Sequence, residues 1–409
     1  MSSGFHDDVG SSATTPLVFR PTLHMQSWTF IIGASLFALG SAPGLGTWLG
    51  TMGANTRVGR RLRLARLGRR CRCHREAGAD RRRGRLSLGQ RGAPKSPGAQ
   101  KKRLANGLAP LADSPLFLGD YADPFVLAVD VDLFLYTSNT VDHNVPVLTT
   151  EAGEVAKPAG DAMATLPSWT EPGLVWAPSV LQTDDDGFVL SYTSLDSRSG
   201  LQCVGAARAS SPLGPFVDGS DDPFVCQREL GGTIDASPFV DDDGTPYLLF
   251  KNDGNCCDIT TQLWTQQLSA DGMTLVGDAI ALLETTEDWE GPLIEGPSMT
   301  TLGDSYWLLY SAYDWNSADY SVGLAQCESP VGPCTKRDGP WLANHGDASG
   351  PGGAEDFTDA DGRRWMVYHA WVTDKIGYET GGERSLFAVP LDLRSGEPVA
   401  RGLSEDSAD

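Results

Sequence analysis

The chain has 409 residues, and its hydrophobic fraction of 40% is typical of a folded soluble protein and excludes a chain that is disordered throughout. The net charge of −21 hides two regions, because residues 1–103 hold 19 Lys and Arg against four Asp and Glu, whereas the remaining 306 residues hold 13 against 49. A region this acidic repels phosphate backbones, so we expect no nucleic-acid partner for it, whereas a neutral sugar polymer meets no such repulsion.

The first 108 residues are predicted to be a disordered or targeting segment. Residues 28–49 form a mostly uncharged run whose apolar centre has the length of a signal-peptide core. The same run is long enough to tether the chain to a membrane, and a buried helix is a further alternative. We expect a secreted protein, although the Arg-rich tract 57–103 would normally stay cytoplasmic beside a membrane span, so the cleavage of residues 28–49 is left open.

Five repeats occupy residues 109–405, and each begins with a small or acidic residue and a proline, followed by a short strand, a polar turn and an aromatic-rich strand. They read ADPFVLAVDVDLFLYTS, WAPSVLQTDDDGFVLSYTS, DASPFVDDDGTPYLLFKN, EGPSMTTLGDSYWLLYSAY and SGPGGAEDFTDADGRRWMVYHAW. Their prolines, which follow one another at intervals of 54, 60, 59 and 54 residues, are Pro124, Pro178, Pro238, Pro297 and Pro351.

Each repeat has the features of a β-hairpin followed by another strand pair. The turn sequences DDDG and DADG favour tight turns, and the second strands are apolar on both faces, so they need cover on both sides. About four strands in each of five repeats predict an all-β fold, a five-bladed β-propeller.

The first strands of propeller blades line the central channel, so residues at their starts converge at one end of the axis. Asp123, Asp235 and Glu295 occupy such starts and are the candidate catalytic residues. In glycoside hydrolysis one carboxylic acid protonates the leaving oxygen and one carboxylate activates water or attacks carbon, and a third carboxylate raises the pKa of the acid. Taken singly, each of the three is more often a turn residue, and a cluster of acids at blade starts could also hold a structural cation.

Two more residues fall near the predicted channel. Trp176 offers a flat apolar face on which a sugar ring packs, with inter-blade core as the alternative. His369, in the sequence YHAW, is a candidate for substrate binding or for the neighbourhood of an ion, with a structural role as the alternative.

Six cysteines lie in the acidic region, and their spacing suggests the disulfides Cys203–Cys226 and Cys327–Cys334. The adjacent Cys256 and Cys257 have no assigned partners. Zinc is the rival interpretation, but no pair of C-x-x-C motifs with histidine spacing occurs.

The motifs ADPFV, WAPSV, IDASPFVDDDG, EGPSM and FTDADG…YHAW, in that order, resemble glycoside hydrolase family 43 over about residues 112–400. The resemblance implies an inverting mechanism on arabinan- or xylan-type polysaccharides or oligosaccharides, with Asp123 as general base, Glu295 as general acid and Asp235 tuning the acid. It also implies that Arg384 contacts substrate hydroxyls and that His369 lies near the channel centre, where a structural calcium ion is possible. No cofactor is required, and the resemblance supports Cys203–Cys226.

Two departures from the family pattern stand out. Gly296 follows the acid where many relatives have Ala, which we expect to be harmless, and GPGGAEDF lacks a His after its GPG turn, which puts a bound ion in doubt. Related families acting on fructose polymers have NDP and RDP motifs, but Ala122 and Ile234 precede Asp123 and Asp235 here. A retaining fructan-type hydrolase and a non-catalytic sugar-binding propeller are therefore the alternatives.

Overall fold

A computed structural model describes residues 113–150, 156–372 and 375–401, and within these residues the chain folds mostly into antiparallel strands. Blade 1 contains β1 (Phe125–Val129), β2 (Asp132–Tyr136), β3 (Pro146–Thr150) and β4 (Lys157–Asp161), and blade 2 contains β5 (Thr170–Gln182), β6 (Phe188–Asp196) and β7 (Gln202–Ala209). Blade 3 contains β8 (Thr233–Val240), β9 (Pro246–Asn252), β10 (Gln262–Leu268) and β11 (Leu275–Glu284). Blade 4 contains β12 (Ile294–Leu302), β13 (Ser305–Ala312), β14 (Ser321–Cys327) and β15 (Cys334–Lys336), and blade 5 contains β16 (Ala348–Thr358), β17 (Arg364–Val372), β18 (Arg384–Arg394) and β19 (Glu397–Ala400).

Short 3₁₀ helices lie in four of the connections, at Arg228–Leu230, Asn255–Cys257, Asp288–Glu290 and Tyr378–Thr380. No helix in the part of the chain that the structure describes is long and apolar enough to cross a membrane.

The strands form five sheets, and each sheet takes its strands from one sequence repeat. The first strands β1, β5, β8, β12 and β16 contact one another in that order, and β16 contacts β1, so the sheets close into a ring. The backbone N–H groups of Leu116 and Phe117 donate to the carbonyl of Leu386 in β18, at 2.7 and 3.3 Å, which fastens the segment before β1 to blade 5. The predicted five-bladed β-propeller is confirmed.

Blade 2 departs from the expected four strands. Its sheet contains β5, β6 and β7, and the place of a fourth strand is taken by two isolated bridges, which join Val204 to Val225 and Arg208 to Val217. Between the bridges the Asp218 carboxylate accepts hydrogen bonds from the Ser220 backbone N–H and hydroxyl, at 2.8 and 2.6 Å. This local turn competes with strand pairing and interrupts the outer edge of the blade.

The hydrophobic core lies between the blades, in five clusters that each join two neighbouring blades. The strand β9 shows how one strand serves two clusters, because Leu248 and Phe250 face blade 2 while Leu249 faces blade 4. Successive side chains of a strand point to opposite faces, and both faces are covered here. The propeller geometry therefore explains the unbroken apolar runs of the second strands.

Each first strand contains, or in the case of β1 is preceded by, one residue in the left-handed backbone region, and these residues are Asp123 (φ 51°), Ala177 (φ 42°), Asp235 (φ 57°), Gly296 (φ 57°) and Gly353 (φ 59°). In β5, β8, β12 and β16 the pairing register shifts at this point. Such a bulge bends the strand and re-aims the side chains beside it. A residue other than glycine in this conformation costs about 1–3 kcal/mol, so the surrounding contacts must hold it there.

Both disulfides suggested by the cysteine spacing are confirmed. Cys203–Cys226 ties β7 to the segment before β8, and Cys327–Cys334 ties β14 to β15. Cys256 and Cys257 are also disulfide-bonded, so the six cysteines of the propeller offer no thiolates to the zinc that the rival interpretation required. Residues 28–49, the tract 57–103, Cys71 and Cys73 lie outside the described residues.

Candidate active site

The three predicted catalytic carboxyls all lie at the starts of first strands. Asp123 precedes β1, whereas Asp235 and Glu295 lie within the first three residues of β8 and β12. Asp123 and Asp235 are the left-handed residues of their blades, but Glu295 comes one residue before its own, Gly296. The base candidate and the tuning candidate are thus equivalent in the repeat, and the acid candidate is offset from them by one residue.

A side chain at or near the end of the second strand of the preceding blade supports these left-handed residues, with one exception. The supporting hydrogen bonds run from Asp123 N–H to His369 Nδ1 (3.0 Å), from Ala177 N–H to Ser138 Oγ (2.9 Å), from Asp235 N–H to Thr193 Oγ1 (3.2 Å) and from Gly353 N–H to Ser311 Oγ (2.8 Å). In each case the acceptor lies at or near the end of the second strand of its blade, where it pairs with the start of the first strand. The sequence therefore builds the same support four times, with serine twice, threonine once and histidine once.

The exception is the support of Gly296 in blade 4. Blade 3 has Lys251 at the equivalent register position, where it pairs with Ile234 as Ser311 pairs with Glu295. A lysine ammonium has no acceptor. The Gly296 N–H donates instead to Asp235 Oδ2, at 3.0 Å, which joins the acid-bearing strand to Asp235.

The Asp123 carboxylate is held by a hydroxyl and a cation. Ser138 Oγ donates to Oδ2 at 2.5 Å, and Arg384 Nη1 lies 3.5 Å from Oδ1. Burial by itself raises the pKa of Asp123, but the Arg384 guanidinium and the Ser138 hydrogen bond contribute to an opposite effect that keeps this pKa below its usual value. Asp123 is therefore ionised at neutral pH, and 26% of its side chain is exposed.

His369 is buried in β17 and is neutral. Its Nδ1 accepts the Asp123 N–H, so the ring proton is assigned to Nε2. Burial and the nearby Arg384 charge lower the pKa of His369 to about 3. The ring stacks on Tyr320 with 6.0 Å between centroids. The structure therefore brings His369 to Asp123 as a support for its backbone.

Arg384 is fixed in place by aromatic rings as well as by Asp123. Its guanidinium lies 4.8 Å from the ring centroid of Trp315, and its Nε donates to the Tyr378 hydroxyl at 3.1 Å. The Tyr378 hydroxyl in turn donates to Asp120 at 2.9 Å. A planar guanidinium stacks and donates at the same time, which a lysine ammonium does not do.

Asp235 has the opposite electrostatic environment from Asp123. Burial and the negative charge of Glu295 raise the pKa of Asp235 to about 8, against the opposing effect of Lys251. At neutral pH the Asp235 side of the site therefore keeps a proton. Because the two carboxyls interact strongly, this proton belongs to the Asp235–Glu295 pair.

Glu295 accepts a hydrogen bond at each carboxylate oxygen. Lys251 Nζ lies 2.9 Å from Oε2, and the Tyr320 hydroxyl donates to Oε1 at 2.9 Å. Burial lowers the pKa of Lys251, but Glu295 and Asp253 outweigh it and keep this buried lysine charged. Tyr320 reaches Glu295 past Gly352, where a Cβ would lie 1.9 Å from the tyrosine ring.

A further carboxyl on a first strand interacts with Asp235. Glu355 of β16 accepts a hydrogen bond from Ser298 Oγ of β12 at 2.6 Å. Burial raises its pKa to about 8, so it is protonated at neutral pH.

Trp176 lies in the middle of β5, beside the register shift of that strand, and is half-buried. The next residue, Ala177, donates its N–H to Ser138 Oγ, and this hydroxyl also bonds Asp123. Trp176 is thus the neighbour of Ala177, which shares the Ser138 hydroxyl with Asp123. The sugar-binding role of Trp176 stays a prediction.

The sequence prediction missed Ser138, Lys251 and Tyr320. Ser138 had a signal, because the triplet YTS recurs in the first two sequence repeats. Lys251 had a stronger one, since a lysine in an apolar strand covered on both faces is rarely buried without a partner. Tyr320 had none, because its role depends on how the loop after β13 folds back.

Calcium near His369 was a further expectation. Calcium takes six to eight oxygen ligands, and no group of three or more His, Cys, Asp or Glu side chains among the described residues is arranged to hold a metal ion. At Gly353, the residue after the GPG turn, a Cβ would lie 2.8 Å from His369 Nδ1, so a side chain would collide there. A calcium ion near His369 therefore stays a prediction, and no step below uses one.

Comparison with known proteins identifies the family. The model of glycosyl hydrolases family 43 matches residues 112–398. The chain belongs to this family. Among solved structures, a thermostable family-43 glycoside hydrolase is 27% identical, with a TM-score of 0.61 over 70% of this chain and 94% of that one. An endo-1,4-β-xylanase of Bacteroides thetaiotaomicron is 26% identical, with a TM-score of 0.59 over 69% and 95% of the two chains.

Two characterised relatives have different names. A β-D-galactofuranosidase of Aspergillus niger is 24% identical over 273 residues, which are 63% of this chain and 76% of that protein. A xylosidase/arabinosidase of Butyrivibrio fibrisolvens is 27% identical over 191 residues, 45% of this chain and 34% of that protein. This family-43 member is therefore a glycoside hydrolase, as the sequence resemblance predicted.

Proposed function

We propose that the protein is an inverting glycosidase that cleaves arabinose- or xylose-containing plant polysaccharides or oligosaccharides. The observation that supports this proposal is the unequal pairing of the carboxyls, because Arg384 lies beside Asp123 whereas the single cation Lys251 contacts Glu295 and also interacts with Asp235. Asp123 is held as a carboxylate, whereas the Asp235–Glu295 pair keeps a proton at neutral pH. An inverting hydrolase needs one group of each kind on opposite faces of the sugar.

Asp123 is the proposed general base. It removes a proton from a water molecule as that water attacks the anomeric carbon, and Arg384 keeps it ionised until then. The inverting route requires about 6.5–9.5 Å between the base and acid carboxyls, because the water lies between base and sugar.

Glu295 is the proposed general acid. It gives the leaving glycosidic oxygen the proton that the Asp235–Glu295 pair holds, and the leaving group departs as an alcohol. Asp235 is joined to the acid-bearing strand by the Gly296 N–H, so it influences Glu295 at close range. The reaction uses carboxyl groups and water.

We assign substrate binding to Trp176 and Arg384, and His369 supports the backbone of Asp123 beside them. The Trp176 indole packs against a sugar ring, and the stacked Arg384 donates to sugar hydroxyls beside Asp123. The relatives' names support pentose substrates, and the Aspergillus niger relative adds galactofuranosides as a second candidate class.

A substrate panel with product analysis tests the proposal. The propeller is incubated with arabinan, arabinoxylan and the 4-nitrophenyl glycosides of α-L-arabinofuranose, β-D-xylopyranose and β-D-galactofuranose. NMR of the first-formed sugar should show the inverted anomer. Retained configuration would support the fructan-type route, and sugar binding without any turnover would support a non-catalytic sugar-binding propeller.

We also propose that the protein acts outside the cell. Disulfides such as Cys203–Cys226 persist in oxidising compartments, and residues 28–49 have the features of a signal sequence or membrane tether. N-terminal sequencing of protein recovered from the culture medium should begin after residue 40, whereas protein found only in the cytosol would contradict secretion.

A further inference from the structure

Lys251 occupies a position on the second strand of blade 3 at which the other four blades have a hydrogen-bond acceptor. Ser138, Thr193, Ser311 and His369, at the corresponding positions, each accept a backbone N–H from the next blade. A charged lysine has no acceptor for a backbone N–H. The repeat architecture therefore does not account for Lys251, and its side chain has to be explained by what it touches.

Lys251 touches the proposed acid. Its Nζ lies 2.9 Å from Glu295 Oε2, and its side chain is completely buried. A buried lysine without a partner is strongly disfavoured, and the retained charge is matched here by a carboxyl that is 12% exposed. The Tyr320 hydroxyl holds the other oxygen, Oε1, so the two donors together fix the direction of the Glu295 carboxyl.

We propose that Lys251 is a positioning residue that orients Glu295 and lowers the pH above which the site loses its transferable proton. This inference rests on the proposed acid role of Glu295. A fixed positive charge stabilises the form in which Asp235 and Glu295 are both ionised, whichever of them holds the proton before it is lost. Lys251 thus opposes the mutual repulsion of the two carboxyls and sets the alkaline boundary of activity.

Other charged and titratable groups act on the same pair from each neighbouring strand. Asp123 and Glu355 approach Asp235, Asp253 acts on Lys251, and Tyr320 lies against Glu295. Tyr320 keeps its proton throughout the range of the test, whereas Glu355, whose pKa is also about 8, ionises within it and adds the same negative charge in the wild type and in each Lys251 variant. Arg384 acts mainly on Asp123. Lys251 is the cation in direct contact with Glu295 among the described residues.

The test is the pH dependence of kcat/KM for Lys251→Met, measured on a glycoside with a poor leaving group. Methionine keeps the length and burial of the side chain without its charge. The alkaline limb should move upward by about one pH unit or more, because an opposite charge at contact distance shifts a carboxyl by about 1–3 units. Lys251→Arg, which keeps the charge but changes its geometry, should lower kcat and leave the limb in place.

Lys336→Met is the matched control. Lys336 forms an ion pair of the same buried kind, with Nζ 2.6 Å from Glu290 Oε1, away from the three carboxyls. This variant should lower the melting temperature and leave the alkaline limb unmoved, which shows how a purely structural lysine behaves.

The outcomes separate the two proposals. A wild-type profile without an alkaline limb would remove the acid role itself. A limb that stays in place in a folded Lys251→Met protein, or one that moves equally in Lys251→Arg, would remove only the role of Lys251. If Lys251→Met does not fold, Lys251→Gln provides the same uncharged comparison with a polar head.

Discussion

Around Asp123 one carboxyl faces one buried cation, Arg384, whereas on the other side of the site two carboxyls, Asp235 and Glu295, share the single cation Lys251. The one-to-one pairing with Arg384 keeps Asp123 ionised, whereas burial and the negative charge of Glu295 raise the pKa of Asp235 to about 8. Both regions are buried, and burial raises the pKa of both Asp123 and Asp235. The ratio of cations to carboxyls, more than burial, therefore distinguishes a base from an acid here.

The loss of the base should have the largest effect. Asp123→Asn leaves no group to accept the water proton, so kcat on every substrate should fall by about a thousandfold or more. Asp130→Asn is the control, because Asp130 also has a left-handed backbone (φ 54°) but lies in an exposed turn, and asparagine tolerates that conformation. A folded Asp123→Asn enzyme that retains more than a tenth of wild-type activity would contradict the base assignment.

Loss of the acid should depend on the leaving group. Glu295→Gln should lower kcat about a hundredfold on natural substrates and only a few-fold on activated aryl glycosides, which depart without protonation. Glu355→Gln replaces another buried carboxyl that is already neutral at pH 7, so it should affect both substrate types equally and slightly. Equal losses in Glu295→Gln would argue against the acid role.

Removing the cation from the base side should act at low pH. In Arg384→Met, burial is no longer opposed by the guanidinium, so the pKa of Asp123 rises and activity is lost at a higher pH as the solution is acidified. The acidic limb of kcat/KM should move upward by about one pH unit, while the alkaline limb stays in place. A shift of both limbs would show that the two sides of the site are not independent.

The smallest expected effect concerns Ser138. Ser138→Ala removes one hydrogen bond to Asp123 and should move the acidic limb upward in the same direction as Arg384→Met, by about half a pH unit. The same pH profile measures it. A shift larger than that of Arg384→Met would reverse the proposed ranking of charge over hydrogen bonding at Asp123.

Much of this architecture could be predicted from the sequence, because the five-fold repeat leaves few folds to consider. The repeat predicted that Asp123, Asp235 and Glu295 lie at blade starts. The cysteine spacing predicted the disulfides Cys203–Cys226 and Cys327–Cys334. The four-strand prediction failed in blade 2, where Asp218 and Ser220 form a local turn.

The hydrogen-bond and ion-pair partners of the catalytic carboxyls were harder to predict from the sequence than the carboxyls themselves. The contact between Lys251 and Glu295 joins residues 44 positions apart in adjacent blades, and Tyr320 reaches Glu295 from a loop. Periodicity identifies which residues face the channel, but strand bulges and loop paths decide which side chains meet. A buried lysine in an apolar strand and the repeated triplet YTS were the hints that the sequence offered.

The hydrogen bonds by which each blade supports the first strand of the next blade also determine whether a single blade could be deleted. Blade 5 supports blade 1 through His369, and blade 1 supports blade 2 through Ser138, so the dependence runs around a circle with no terminal unit. Removing one blade would take away its own residues and also the acceptor on which its neighbour relies. Unlike an open solenoid, which tolerates the loss of end repeats, this enzyme should be indivisible at the level of single blades.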